Sequence, residues 1–475
     1  MSNYTEQELR LLKDKVATLF NSNDNWKGIG IQRKEKNGQL TEDLAITLTV
    51  DEKLPEEEID SNDLFPQSIT IPGLSEPVKT DVQVGPTEVV IEPVCYTLPT
   101  PGLDFLATMP VSGNRASHRP MMGGISCSIM PPGGYGDSAK NTGTLGGFCI
   151  DLDDNTVVGV SNNHVMGGNQ LRGDVLPTSA YESEFGLTYW SFLSANDTTV
   201  SENETRYPVY QRSNWDNFNT YKYNLDNLKV GTVKRAYPFT STNNKIDVAI
   251  FAIDTTVPNL FNKNETWKQY LLNRQDVDMA DPVQGVSAMS FATTAEIDSL
   301  MTTNFETPCF KSGRTYGPLG YPGNVPYTCN DSNTGTLSAY SVTYSTNVNF
   351  GDNIGSLGFI EQIRLKGNHD ASAGGDSGSF WCALFNQGNP SLSAWKIIGL
   401  HFAGSGDTAV ANRIDNVAEM FNLSAYRGED LDIGYRNTNI KVVDSRQTAI
   451  TARIGGRMYW QAGSTNEPAN AQFDT

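Results

Sequence analysis

The sequence predicts a mainly β protein whose first 90 residues form a small α+β domain. Three observations lead there. The 43 glycines and 23 prolines among 475 residues call for many turns. From Gly123 onward the apolar residues run in short strand-length stretches. A well-capped helical stripe stands near the start: Leu9, Leu12, Val16, Leu19 and Phe20 recur at helical spacing behind a Thr5–Glu8 capping box.

Composition narrows the function classes. A hydrophobic share of 38% and a charged share of 19% suit a soluble globular chain. The net charge of −19 argues against a nucleic-acid partner, which would need a basic face. No stretch approaches the roughly 20 apolar residues of a membrane span. The opening MSNYTEQELRLLKDK has no apolar leader, so a cytoplasmic location with reduced thiols is expected. The six cysteines stand at 95, 127, 149, 309, 329 and 382, none at CxxC spacing, and a zinc cluster is not expected. In an oxidising compartment, Cys309 and Cys329 would be the pair placed to bridge. No metal or cofactor is expected.

In the first domain, residues 1–90, Gly28 to Gln32 reads as a strand and Asn37-Gly38 as a hairpin turn. Leu44, Ile46, Leu48 and Val50 alternate as a half-buried strand. An acidic stretch, Glu56 to Asp60, reads as a solvated short helix or loop, and two further strands follow at 67–71 and 78–84. The domain holds no catalytic cluster and is expected to recruit substrate, regulate or assemble with a partner. Residues 91–122, with five prolines, form a linker. His118 in it reads as a surface histidine.

Beyond the linker, 142–150 reads as a glycine-rich strand and 157–160 as a second, ending in SNNHVMGG with His164. Residues 170–230 form a polar, aromatic insertion. The next stretch, NNKIDVAIFAI, sets Asp247 at the mouth of a buried strand, where a carboxylate needs a partner. A second insertion, 257–305, carries a helix at 261–272 and a second periodic stretch near 295–301. Strands follow at 336–348 and 359–365, then ASAGGDSGSF at 371–380, the strand AWKIIGLHF at 394–402, and a closing helix around Val417, Met420 and Phe421. Residues 425–475 read as a polar extension and tail with two short strands.

The glycines at 374, 375 and 378 give the chain around Ser377 the freedom to turn sharply and expose backbone N–H groups. A serine hydroxyl becomes a nucleophile only when a base takes its proton, and a histidine is that base only when held in the right tautomer. His164, Asp247 and Ser377 supply the three parts, each at the end of a predicted strand.

The blocks GTLGGF, SNNHV, KIDVAIF, KSGRTYG, SAGGDSGSF, IIGLHFAGS and ANRID, in that order, resemble the bacterial and phage-type trypsin-like peptidases of the chymotrypsin superfamily. The resemblance covers residues 123–424. It implies two six-stranded β-barrels with the site between them, the small α+β domain preceding them. It also implies His164 as base, Asp247 as its orienter, Ser377 as nucleophile, and the N–H groups of Gly375 and Ser377 as the oxyanion hole. The spacings of 83 positions from His164 to Asp247 and 130 from Asp247 to Ser377 exceed those of minimal members, so large loops are expected around the cleft.

Two departures from the pattern matter. Secreted relatives bridge the position of Cys149 to the residue after the histidine, which here is Val165. Zymogen relatives free an apolar N-terminus to pair with the position of Asp376. MMGG at 121–124 resembles such a terminus weakly, and Pro120 after Arg119 opposes the cut, so an enzyme that needs no cut is expected.

The family spacing sets the pocket floor at Ala371, with Ser372 and His401 as polar walls. Alanine offers no charge to a basic side chain, whereas a hydroxyl and an imidazole resemble the pockets of glutamyl endopeptidases and 3C-type proteases. Cleavage after Glu, Gln or Asp is the expectation, weighed against His401 as a core histidine. The function expected is thus a serine endopeptidase acting on a protein or peptide substrate. The alternatives are a structural or virion-associated assembly protein that keeps the barrel, and a self-processing protease that cuts its own 91–122 linker.

Overall fold

The computed structural model describes residues 4–20, 25–36, 39–59, 64–71, 76–85, 89–90, 121, 123–129, 142–167, 208–211, 229–237, 239–254, 290–305, 307–315, 337–350, 355–367, 371–385 and 394–426. The chain divides into two units, Met1–Glu429 and Asp430–Thr475, and every described residue lies in the first. The helix expected at 261–272, the insertion 170–230 for the most part, His118, and the two short strands of the C-terminal extension lie outside the described residues.

The N-terminal elements are α1 (Glu6–Phe20), β1 (Trp26–Lys36), β2 (Gln39–Val50), β3 (Ser68–Ile69), β4 (Val78–Val84) and β5 (Val89–Val90). The acidic run makes only a 3-10 turn, Glu56–Glu58. The capping box forms as expected: Glu8 Oε2 accepts from the Thr5 backbone at 2.8 Å, and the Glu8 backbone donates to Thr5 Oγ1 at 3.3 Å. Leu9, Leu12 and Val16 bury against Ile29, Ile31, Ile46 and Leu48. Leu19 departs from the expected stripe and is 58% exposed. The last turn turns Phe20 inward instead, edge-on to Phe65 with ring centroids 5.0 Å apart.

The next strands are β6 (Ile125–Ser128), β7 (Thr142–Leu145), β8 (Gly147–Asp151), β9 (Thr156–Ser161), β10 (Pro208–Gln211), β11 (Lys229–Ala236) and β12 (Ala249–Ile253). The expected 142–150 strand is bent at Gly146 into β7 and β8. This lets it pair with β6 at one end and β9 at the other. The ring runs β6, β7/β8, β9, β12, β11, β10 and back to β6, six positions in all. Its interior holds Ile125, Leu145, Phe148, Val165, Val209, Val233 and Phe251.

The remaining elements are α2 (Thr294–Ser299), β13 (Pro308–Lys311), β14 (Leu337–Asn349), β15 (Ser356–Lys366), β16 (Phe380–Phe385), β17 (Ala394–Ser405), β18 (Thr408–Arg413), α3 (Ile414–Met420) and β19 (Leu423–Ala425). The sheet order β13-β16-β17-β18-β15-β14 closes where Cys309 of β13 pairs with Leu337 of β14, a second six-strand ring. The chain is therefore the mainly β, chymotrypsin-like double barrel. A core that includes Val158, Val160 and Ile250 of the first ring together with Ile363, Phe380 and Leu400 of the second packs the two against each other. After α3, β19 returns to the first ring and pairs with β8.

The N-terminal strands do not stand apart from this core. Gly28 and Ile29 of β1 pair antiparallel with Thr346 and Ser345 of β14, so β1, β2, β4 and β3 extend the second ring's sheet outward. Thr47 and Thr49, which alternate along β2 with Ile46 and Leu48, are fully buried as well, so both faces of β2 are shielded from solvent there. Lys13 Nζ crosses to the Thr343 carbonyl at 2.9 Å.

Candidate active site

His164 sits in a wide π turn, Asn163–Gly167, directly after β9. Side chains on either side fix that turn. Asn162 Nδ2 donates to the Asp247 carbonyl at 2.7 Å, and Asn163 Nδ2 donates to the Tyr237 carbonyl at 2.8 Å. Val165 and Met166 anchor it in the first ring's core. Asp247, just before β12, is fully buried and binds His164 twice. Oδ2 lies 2.5 Å from the ring Nδ1, and Oδ1 accepts the His164 backbone N–H at 3.2 Å. A buried carboxylate with two donors on one histidine holds Nδ1 as the protonated nitrogen and leaves Nε2 as the nitrogen with a free lone pair. His164 Nε2 is buried and has no hydrogen-bond partner among the described residues.

The second ring steadies this pair. Asn412 of β18 accepts the Asp247 backbone N–H through Oδ1 at 2.9 Å, and its Nδ2 donates to Gln362 Oε1 at 2.8 Å. Asn412 lies in the ANRID block, but nothing in the sequence marks it for this role. An amide beside an apolar strand end is a weak signal when only the sequence is in hand.

Ser377 comes from the other ring, on the loop before β16. Its carbonyl accepts from Thr144 N of β7 at 2.8 Å, which ties the loop across to the first ring. Gly378 N donates to the His401 carbonyl at 2.8 Å and His401 N to the Ser379 carbonyl at 2.8 Å, which ties the loop to β17. Gly375 and Gly378 have φ of 97° and 95°, a region that disfavours side chains; a Cβ at Gly375 would also meet Thr315 Oγ1 at 2.8 Å. Among the described residues, no acceptor takes the backbone N–H of Gly375 or Ser377. Two such free donors beside a serine are what an oxyanion needs.

Ser377 Oγ is not hydrogen-bonded to His164. It lies 3.5 Å from the Phe402 carbonyl. The loops that carry the two residues do meet, since a Cβ at Gly143 would lie 2.6 Å from Val165 Cγ2 and 2.7 Å from the Ser377 carbonyl. Rotation about one side-chain bond redirects Oγ, and nucleophile–base contacts often close only with substrate present.

Beneath the loop lies a buried ion pair. Asp376 Oδ2 is 2.6 Å from Lys311 Nζ and its Oδ1 accepts Thr315 N at 2.8 Å; the Lys311 and Asp376 side chains are fully buried. The carboxylate before Ser377 is thus neutralised from within the chain. Lys311 opens KSGRTYG, a block recognised from the sequence without this role.

Ala371 and Ser372 are buried beside the loop, and His401 is 1% exposed. Trp381 Nε1 donates to His401 Nδ1 at 3.4 Å. Burial, the Lys311 cation and His164 hold the His401 pKa well below the ordinary imidazole value, against a hydrogen bond to the Val410 backbone that raises it. The imidazole is therefore neutral at physiological pH. No group of metal-ligating side chains occurs among the described residues, and no described helix is long and apolar enough to cross a membrane.

No family model matches the sequence, and no curated protein matches it. Among solved structures, a glutamic acid specific serine protease, described as using a novel histidine triad in substrate binding, matches with a TM-score of 0.30 and 15% identity, over 64% of this chain and 100% of its own. Cellulomonas bogoriensis chymotrypsin matches with a TM-score of 0.25 and 16% identity, over 42% of this chain and 75% of its own. Both neighbours are serine proteases. Likenesses this distant leave the fold to rest on the two closed rings of strands described above.

Proposed function

We propose that the chain is a serine endopeptidase in which Ser377 attacks the peptide carbonyl, His164 carries the proton to the leaving amine, and Asp247 orients the imidazole. The observation that carries this reading is the buried 2.5 Å contact between His164 Nδ1 and Asp247 Oδ2, set where the first ring meets the glycine-turned Ser377 loop of the second. Such a contact leaves Nε2 to serve as general base and later as general acid. The N–H groups of Gly375 and Ser377 would receive the negative charge of the tetrahedral intermediate.

The finer part of the proposal is cleavage after Glu, Gln or Asp. Ala371 supplies no counter-ion for a basic side chain. His401, neutral and accepting at Nδ1 from Trp381, carries its proton on Nε2 and can donate to a substrate oxygen in place of the Val410 carbonyl. Labelling with a fluorophosphonate probe tests the nucleophile: Ser377 is expected to be the only labelled residue. Labelling that persists in Ser377→Ala would overturn the assignment.

A further inference from the structure

Strand β17 has two edges near the nucleophile. At Gly404 one edge pairs with Ala409 of β18. The other edge is free of β16, which begins only at Phe380 and pairs with β17 no further than Leu400. There β5 takes its place: Val90 pairs antiparallel with Gly404, while Val89 and Val90 pair parallel with Val348 and Asn349 of β14. This short strand belongs to the N-terminal region, yet it is wedged between two strands of the second ring.

Its position relative to Ser377 follows from the register. The Phe402 carbonyl, two residues before Gly404, is the group 3.5 Å from Ser377 Oγ. In an antiparallel pair, a peptide residue two places after the one facing Gly404 faces Phe402. Two residues of strand span about 7 Å. Any extended peptide presented to Ser377 along this edge must therefore put its backbone where Val89 and Val90 now lie. The side chain of Val89 is 4% exposed and belongs to the aromatic cluster of Phe239, Phe350, Phe359 and Phe402. Phe350 in turn stands edge-on to the His164 ring, with centroids 6.1 Å apart.

We infer that β5 is an intramolecular inhibitor: the chain's own Val89–Val90 segment fills the extended-peptide site beside Ser377, with Val89 in its aromatic pocket, and keeps the enzyme latent towards peptides long enough to need that site. The inference rests on the proposed peptidase function. It also gives the pocket a ligand class, a β-branched aliphatic side chain on an extended peptide. The N-terminal strands suit such a device because β5 begins only five positions after β4 ends, so the same part of the chain that extends the sheet from β14 also supplies the strand beside Ser377. Latency of this kind lowers activity by the fraction of molecules in which the site is open.

The test compares the full chain with Val89→Asp and the milder Val89→Ala. Three readouts are needed: fluorophosphonate labelling, hydrolysis of a single-residue coumarin amide, and hydrolysis of a four-residue coumarin amide with valine at its first position. The residue before the coumarin is taken from library profiling. The expected result is similar labelling and similar single-residue hydrolysis in all three proteins. The four-residue amide should be cleaved about tenfold faster by Val89→Asp, and a synthetic peptide of residues 86–92 should reverse that gain. Val89→Ala should show a smaller gain in the same direction and decides the matter should the aspartate variant fail to fold. Equal four-residue hydrolysis by folded, labelled wild type and variants would overturn the inference while leaving the peptidase reading intact. Absence of labelling in all three would overturn both.

Discussion

Lys311 Nζ lies 2.6 Å from Asp376 Oδ2, with both side chains fully buried, one residue before the proposed nucleophile. The pair fixes the carboxylate that shapes the Ser377 loop, and its cation sits on β13. Removing one partner of a buried pair leaves an uncompensated charge, a cost of about 3–5 kcal/mol. Lys311→Met is therefore expected to lower unfolding free energy by that order and to abolish activity. Lys311→Met combined with Asp376→Asn should recover much of the stability. Urea unfolding of the single and double variants measures this, and a double variant no more stable than the single would contradict it.

The three proposed catalytic residues should behave as one unit. His164→Ala, Asp247→Ala and Ser377→Ala are each expected to lower kcat by about 10⁴ or more, with little further loss on combination. Independent losses that multiply would count against the assignment. Asn412→Ala, which removes the acceptor for the Asp247 backbone N–H, should lower kcat with little change in KM, as expected of a positioning residue.

Much of this was legible in the sequence, and the reasons are local. The helix cap at Thr5 and Glu8, the alternation in β2 and the glycines around Ser377 are short-range patterns, and each forms as the spacing implies. What the sequence hid is long-range. Nothing in Trp26–Lys36 announces that β1 pairs with β14, more than 300 positions away, because an edge strand covered by a neighbour carries the same alternation as one in a separate sheet. Val89 and Val90 read as the end of a domain, yet they lie on β17. The lysine partner of Asp376 was hidden for the same reason: a buried charge pair joins two positions that composition does not link.

Cys149, Cys309 and Cys382 are fully buried, and burial pushes their thiol pKa values far up, that of Cys309 to about 12. Cys127 is buried as well, and no disulfide joins any of the four to another. Thiolate is the reactive form, so these four cysteines should resist Ellman's reagent at pH 8 in the native protein and react once it is unfolded in urea. Peptide mapping after a brief native exposure checks this. Prompt labelling of Cys309 or Cys382 would show that the second ring opens far more readily than its packing implies.

His401, proposed above as a pocket wall, also bears on stability. Its folded pKa lies well below the ordinary value, chiefly through burial and then through the Lys311 cation. The unfolded chain binds a proton near pH 6.5, where the folded chain does not. Stability contributed by the neutral ring is thus fully present above about pH 6.5 and is lost as pH falls towards the folded pKa, with a slope of up to about 1.4 kcal/mol per pH unit. His401→Gln removes the titration and keeps an oxygen to accept from Trp381 Nε1, so its unfolding free energy should fall less steeply between pH 7 and pH 5. The same variant separates two roles for the ring. A glutamine still presents N–H donors, whereas leucine presents none. If His401 reads the substrate, preference for Glu, Gln or Asp should survive in His401→Gln and vanish in His401→Leu, because a pocket that relies on a donor discriminates by leaving it unpaired. A peptide-library profile dominated by Arg and Lys, or one unchanged by the leucine substitution, would show that His401 serves only the core of the second ring.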